Sequence, residues 1–451
     1  MRDLAFLGFL AAFVGFGFKR PFLFVLAYCY VDIVAPQRLC YFLLNAIPVS
    51  LICFGLAVLG WLVADDKRDA RLAPRQLLMA LLLVWAGYTT WNADFPVEAL
   101  EKWGWVWKAL VFAIFLPLTL RTRLRIEALC LCMVLCASSI IVVGGIKTLV
   151  SGGGYGALNL MVDNNSGLYE GSIISTVAIC IIPLILWLAK HGTIFRPDWR
   201  VNLYAAGLVF ACLLIPIGTQ ARTGLICIGI LAVLTLRSVK HRLLYIAMAG
   251  AIGLAAIPLL PSSFTQRMDT IKTYKSDQSA STRLAVWAWT WDYAKRNPMG
   301  GGFMAFLQNK LTIDLTETSG DAQSQQVESS VAYDQARAYH SAYFEMLGEQ
   351  GFPGLAMWLM LNIGGIVRME VLRRRHLKAP DDQAWIAPLA TALQHGNIIY
   401  MVGALFVGIA FQPFVFMLVG CQIGFDTYVT RRRDEAAWRP LRERIGRPAA
   451  A

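Results

Sequence analysis

The sequence predicts an all-α polytopic membrane protein of about 12 transmembrane helices, with one large outer loop that itself contains helices. Three observations carry this. Hydrophobic residues make up 57% of the 451 and charged residues only 16%, against roughly 45–50% and about 25% in ordinary soluble chains, and the mean hydropathy is +0.54. Apolar stretches of bilayer-spanning length recur along most of the chain. Basic clusters recur at every second connection between them, the pattern of cytoplasmic loops. A water-soluble enzyme of this size could not hide so much apolar surface, and a disordered chain would show the opposite balance. The net charge of +12 would suggest nucleic acid in a soluble protein. Here loop topology accounts for it, and no nucleic-acid partner is implied.

Taken in order, residues 4–35 are apolar but interrupted by Lys19 and Arg20, and read as one long broken helix or a short hairpin. Spans follow at 41–64, 77–92, 104–120, 127–149, 170–189, 202–219, 222–236 and 242–260. Each can cross as a helix because a bilayer offers the backbone no other hydrogen-bond partner. After a long polar interval come 342–368, 384–410 and 412–430. Basic knots stand at Lys67–Arg75, Arg121–Arg125, Lys190–Arg200, Arg237–Arg242, Arg368–Lys378 and Arg431–Arg433. They assign 93–103, 150–169, 220–221 and 261–341 to the opposite side and make the C-terminus cytoplasmic. One span in 4–35 gives twelve in all, and two give thirteen. The Lys19–Arg20 pair favours two, whereas twelve is the commoner count. The resulting organisation is an N-terminal transmembrane bundle (1–260), a loop domain (261–341), C-terminal transmembrane helices (342–430) and a basic tail (431–451). The N-terminal apolar run lacks the small-residue cleavage site of a removed signal peptide.

Residues 261–341 form the one long stretch without a spanning segment, and long loops are usually functional or disordered. Eight basic and eight acidic residues balance there, so the loop is no simple anion sponge. A helix is expected at about 281–296, ended by Pro298 and Gly300–Gly302. On it Arg283, Trp287 and Trp291 recur every four residues and share a face, while Trp289 points elsewhere. The plain reading of these tryptophans is anchorage at headgroup depth. Residues 311–335, rich in Thr, Ser, Gln, Asp and Glu, read as a solvated segment without nameable chemistry.

Among the five histidines, His191, His241 and His376 lie in basic knots and read as solvated loop residues. His395, in an apolar segment, reads as a packed residue. His340 differs: it stands where the outer loop re-enters the membrane, ahead of Tyr343, Phe344 and Leu347 on one helical face. The passage runs His340-Ser341, nine residues, then Gly351-Phe352-Pro353-Gly354. Gly351 can end a helix in the left-handed conformation and Pro353 can start the next. An ionisable residue at membrane depth is a functional hypothesis by default, and an imidazole can accept a proton from a hydroxyl near neutral pH. Arg222, in the tight turn Gly218-Thr219-Gln220-Ala221-Arg222-Thr223-Gly224, either snorkels or binds phosphate, for which its planar fork is matched. Arg283 offers the same chemistry from the loop. Asp163-Asn164-Asn165 is either a turn or a contact for sugar hydroxyls. All ten cysteines lie in or beside apolar runs and read as small buried hydrophobes, without disulfide or zinc spacing. No phosphate-binding loop, DxD-type metal site or HExxH motif is present, so neither cofactor nor metal is expected.

The His-Ser-x9-Gly-x-x-Gly passage at 340–354 resembles the signature of the O-antigen ligase family (WaaL, within the wider O-antigen ligase/polymerase superfamily). The resemblance extends to the many spans, the large outer loop before the last few, Arg222 in its Gln-Ala-Arg-Thr-Gly turn, and Arg283 in an Arg-Leu-x-x-Trp helix. It implies a metal-independent glycosyltransferase of the lipid-donor type in the bacterial inner membrane, with its site facing the periplasm. The implied donor is a glycan on undecaprenyl pyrophosphate and the implied acceptor is lipid A–core oligosaccharide. By this resemblance Arg222 and Arg283 bind the pyrophosphate. His340 is the base for the acceptor hydroxyl, or else a further pyrophosphate ligand. Trp287, Asn164 and Tyr343 are candidate glycan or acceptor contacts. The resemblance also favours twelve spans. The N-terminal region looks in addition like a branch of O-glycosylation ligases, which leaves the acceptor open between core oligosaccharide, growing glycan and protein.

Overall fold

The computed structural model describes residues 2–40, 44, 47–67, 72–151, 168–237, 278–319 and 326–437. The predicted span 242–260 and the candidate Asn164 lie outside the described residues. The chain runs through helices α1 (Arg2–Gly17), α2 (Phe22–Val34), α3 (Pro36–Leu39), α4 (Val49–Ala64), α5 (Pro74–Trp91), α6 (Pro96–Thr119), α7 (Arg123–Ser151), α8 (Gly171–His191), α9 (Trp199–Gly218) and α10 (Arg222–Leu236). The loop helix α11 (Gln278–Arg296) and strands β1 (Lys310–Ser319) and β2 (Gln326–Gln335) follow, and then α12 (Ala342–Arg375), α13 (Ile386–Gly403) and α14 (Pro413–Ala437). Pro74, Pro96 and Pro413 each open a helix, where the missing N–H costs nothing. Among the described residues five helices are long and apolar enough to cross a membrane: Arg123–Val150, Gly171–His191, Trp199–Gly218, Ala342–Arg375 and Pro413–Ala436. Shorter apolar helices accompany them, and the chain is a multi-pass, predominantly helical membrane protein.

The interrupted N-terminal stretch resolves into two helices. Phe9 of α1 lies 4.9 Å from Tyr30 of α2, ring centre to ring centre, so the pair is a hairpin rather than one broken rod. Its turn lies against the end of α4, where a Cβ on Gly60 would stand 2.8 Å from Pro21. Lys19 and Arg20 therefore join the other basic ends. Those ends meet one another on a single face. Arg125 at the start of α7 pairs with Asp65 beyond α4 at 2.5 and 2.6 Å. Arg123 donates to the His191 carbonyl at the end of α8 at 2.8 Å and lies 4.7 Å over Trp385 before α13. Arg431 of α14 donates to the Arg121 carbonyl at 2.7 Å. The alternation of charge along the sequence is thus a physical layer of interlocked arginines.

The C-terminal helices interleave with the N-terminal ones: α12 packs on α5, α13 on α8 and α14 on α6. The core between them is closed by fully buried Trp358, Tyr400, Phe112 and Phe416. Nine of the ten cysteines are buried, Cys132 is half-buried, and none forms a disulfide, as expected of small hydrophobes.

Two expectations need correction. The segment 311–335 is not plain solvated loop: β1 and β2 pair antiparallel, Lys310 opposite Gln335 and Ser319 opposite Gln326, so a hairpin is added to the helical fold. The apolar run 384–410 is not one helix either. α13 ends at Gly403, and a buried irregular segment with Ala404, Val407, Ile409 and Phe411 follows. Its backbone finds other partners, among them the N–H of Ala342, which donates to the Ala404 carbonyl at 2.8 Å.

Candidate functional site

The expected loop helix exists as α11, three residues longer at its start. Its Arg283–Trp287–Trp291 face lies along the first turns of α12. The Trp287 ring stacks on Phe344 at 5.0 Å and 8°, and its indole N–H donates to the Tyr339 carbonyl at 2.9 Å. Trp291 meets Phe352 edge-on at 6.0 Å. Trp289, off this face, stacks on Tyr293 at 5.0 Å. These contacts replace the headgroup-anchor reading of Trp287: the ring docks the loop helix onto the re-entering chain.

The glycines after α11 fasten the same junction. Gly300 and Gly302 have φ of +84° and +77°, which side chains rarely tolerate. In that shape Gly301 N–H donates to the Gly348 carbonyl at 3.0 Å and Gly302 N–H to the Glu349 carbonyl at 2.9 Å. In return Phe352 N–H donates to the Pro298 carbonyl at 3.0 Å. These carbonyls are the ones a broken helix orphans. The break itself is at Gly351, with φ +66° and ψ −169°, so the expected stop there and restart at Pro353 are both seen.

His340 stands two residues before α12 with φ +48°. The buried Asn309 pins the chain just ahead of it, donating to the Arg337 carbonyl at 2.7 Å and accepting from Arg337 N–H at 3.0 Å. The imidazole is solvent-accessible but crowded on its protein side. That partial desolvation, then the Arg283 guanidinium and Arg337, hold its pKa below the usual histidine value, while Glu170 pulls the other way. Arg283 and His340 are therefore close enough to sense each other. Glu170 caps α8, its carboxylate accepting from Ile173 N–H at 2.8 Å. The next residue, Gly171, packs against Thr219, to which a Cβ would approach within 3.2 Å. Thr219 also shares a hydrogen bond of 2.8 Å with Ser175. Arg222, half-buried, opens α10 three residues later. The start of α8 thus links Glu170, which acts on His340, to the Thr219 turn that leads into Arg222. Tyr343 serves the fold instead: its hydroxyl donates to the Met401 carbonyl at 3.0 Å and its ring meets Trp358 edge-on at 5.3 Å.

His340 forms part of the wall of a cavity of about 250 Å³ between α6 and the start of α12. At its base is a cluster the sequence reading missed. Lys102 donates to Glu345 at 2.6 Å and to both oxygens of Glu349 at 2.7 and 2.8 Å. The ammonium also lies 5.2 Å from the Phe303 ring and 5.7 Å from the Phe411 ring. Glu349 further accepts from Met304 N–H at 3.0 Å, and Glu345 from Ala410 N–H at 3.0 Å. The cluster ties α6, the glycine loop, α12 and the 404–412 segment together around His340. Its signal was present: Glu345 and Glu349 lie one helical turn apart inside a stretch read as membrane span, where carboxylates are rare and functional.

Residues 207–359 match the family model described as O-antigen ligase. Residues 1–193 match a family of unknown function. Among curated proteins none matches the chain. The matched segment contains Arg222, Arg283 and His340, together with both carboxylates of the buried cluster.

Proposed function

From the match of residues 207–359 to the O-antigen ligase family, an enzyme class of ligase or polymerase type in O-antigen processing, we propose that the chain transfers a glycan from undecaprenyl pyrophosphate to the lipid A–core oligosaccharide. The observation that carries this is the position of His340 on the wall of the cavity, within electrostatic reach of Arg283. The lowered pKa supports a neutral imidazole, able to take the acceptor hydroxyl's proton, over a pyrophosphate-binding cation. Arg222 and Arg283 stabilise the negative charge that grows on the departing pyrophosphate, in the role a divalent ion fills elsewhere. Fixed cations sheltered from bulk water act more strongly than in solution. Direct attack inverts the anomeric centre. In this reading the arginine layer faces the cytoplasm and the His340 end faces the periplasm, with residues 261–341 as the periplasmic loop domain between the bundle 1–260 and the helices 342–430. Membrane lipids surround the bundle.

The test uses purified protein, undecaprenyl-pyrophosphate-linked glycan and rough lipopolysaccharide without added metal. Joined product is expected, and elongated donor would indicate a polymerase instead. His340→Ala, Arg222→Ala and Arg283→Ala should each abolish transfer while the protein still accumulates in the membrane. Full-length capped lipopolysaccharide from all three variants would sink the assignment.

A further inference from the structure

We propose that the cavity between α6 and α12 is the acceptor-sugar subsite, and that it selects a hydroxyl-rich sugar bearing no phosphate or carboxylate. This deepens the transferase reading and rests on it. The argument begins with charge. Glu98, Glu101, Glu345 and Glu349 line the cavity against the single cation Lys102, besides His340. The Lys102 ammonium is already committed to Glu345 and Glu349. Four carboxylates against one lysine leave the space acidic, so a pyrophosphate is repelled from it. Arg222 and Arg283 are not part of its wall. The two substrates are thereby kept apart, the acceptor in the carboxylate-lined cavity and the anionic donor outside it.

The lining also suits a sugar. Carboxylate oxygens accept hydrogen bonds from vicinal hydroxyls, and Trp105 and Phe306 offer apolar faces to ring C–H groups. At about 250 Å³, the space is below the roughly 300–1,000 Å³ of drug-sized pockets and fits the end of a glycan rather than a long stretch of it. A hydroxyl of a sugar seated there meets His340. Its oxygen forms the new bond to the donor's anomeric carbon, and the bond from that carbon to the pyrophosphate oxygen breaks. The proton passes to the imidazole, and the electron pair leaves on undecaprenyl pyrophosphate.

The test compares two core oligosaccharide acceptors, identical except for a phosphate on the terminal sugar, with one donor and the purified full chain. Like charges brought together across an interface disfavour the wrong partner, so the unphosphorylated acceptor should be used on the order of tenfold better or more in kcat/KM, about 1.4 kcal/mol or more. Glu98→Gln and Glu101→Gln should raise the KM for that acceptor with kcat nearly unchanged, the signature of lost ground-state binding. Glu101→Lys should narrow the discrimination. Equal use of the two acceptors, preference for the phosphorylated one, or an unmoved acceptor KM in both Gln variants overturns the inference while leaving the transferase reading intact. Transfer to neither acceptor overturns both.

Discussion

Lys102→Met removes the one cation of a buried three-membered cluster and leaves two carboxylates facing each other. The side chains of Lys102, Glu345 and Glu349 are 13%, 8% and 1% exposed, so little water is at hand to replace the ammonium. Breaking a buried ion pair by deleting one partner costs about 3–5 kcal/mol. Here two charges are orphaned by one substitution, which places the expected loss at the upper end of that range. With about 2.1 cal/mol/K per residue of unfolding entropy, the 451-residue chain has roughly 0.9 kcal/mol/K. The midpoint should then fall by about 5 °C. The assay is thermal unfolding of the purified protein in detergent. The decisive comparison is Lys102→Met with Glu349→Gln in the same chain. Neutralising the second carboxylate leaves Glu345 with the Ala410 N–H and relieves the repulsion, so the double variant should recover part of the loss. A Lys102→Met midpoint within about 1 °C of the parent, or a double variant no more stable than the single one, would refute the reasoning.

Three further outcomes follow from the same geometry. If neutral His340 is the base, kcat/KM rises with pH through an apparent pKa below the usual 6.5. Glu170→Gln removes the neighbour that raises this pKa, so the acidic limb should move to still lower pH; a shift to higher pH contradicts the assignment. Gly351→Ala forces a side chain into a conformation worth about 1–3 kcal/mol of strain and into the Pro298 carbonyl. Gly364→Ala, with open space around it on the same helix, should instead be neutral or gain up to about 1 kcal/mol, and equal midpoints for the two variants would remove the argument. Trp287→Phe keeps a ring for Phe344 but loses the bond to the Tyr339 carbonyl, about 0.5–1.5 kcal/mol. Transfer should slow several-fold at unchanged membrane levels, and full activity would show that this bond does not position His340.

Features written locally or repeatedly were legible in the sequence. The arginine layer was readable because each knot lies next to its own span, and the loop helix because Pro298 and three glycines end it. The His340 passage announced itself because a histidine has no packing reason to precede a span. Pairings across long sequence distance were not legible. Two carboxylates inside a span were a visible signal, but nothing near Lys102 indicates that it is their partner, 243 and 247 residues away. The hairpin is a different case. Leu311, Ile313 and Leu315 alternate with polar residues, the two-residue period of a strand. The abundance of Thr, Ser and Glu between those residues masked that period.

Charge serves two separate purposes in this fold. On one face arginines bond to carboxylates and helix-end carbonyls of neighbouring helices, so most of the +12 excess is consumed in topology and packing. At the other end the loop is balanced, and position matters instead of number. His340, in left-handed backbone three residues after the Arg337 that Asn309 holds, shares a cavity wall with Glu98, Glu101, Glu345 and Glu349, and Arg283 and Glu170 act on it with opposite sign. Net charge is therefore a poor guide to chemistry here. The informative quantity is which charges share a wall, and the glycine clasp between α11 and α12 keeps those walls in register.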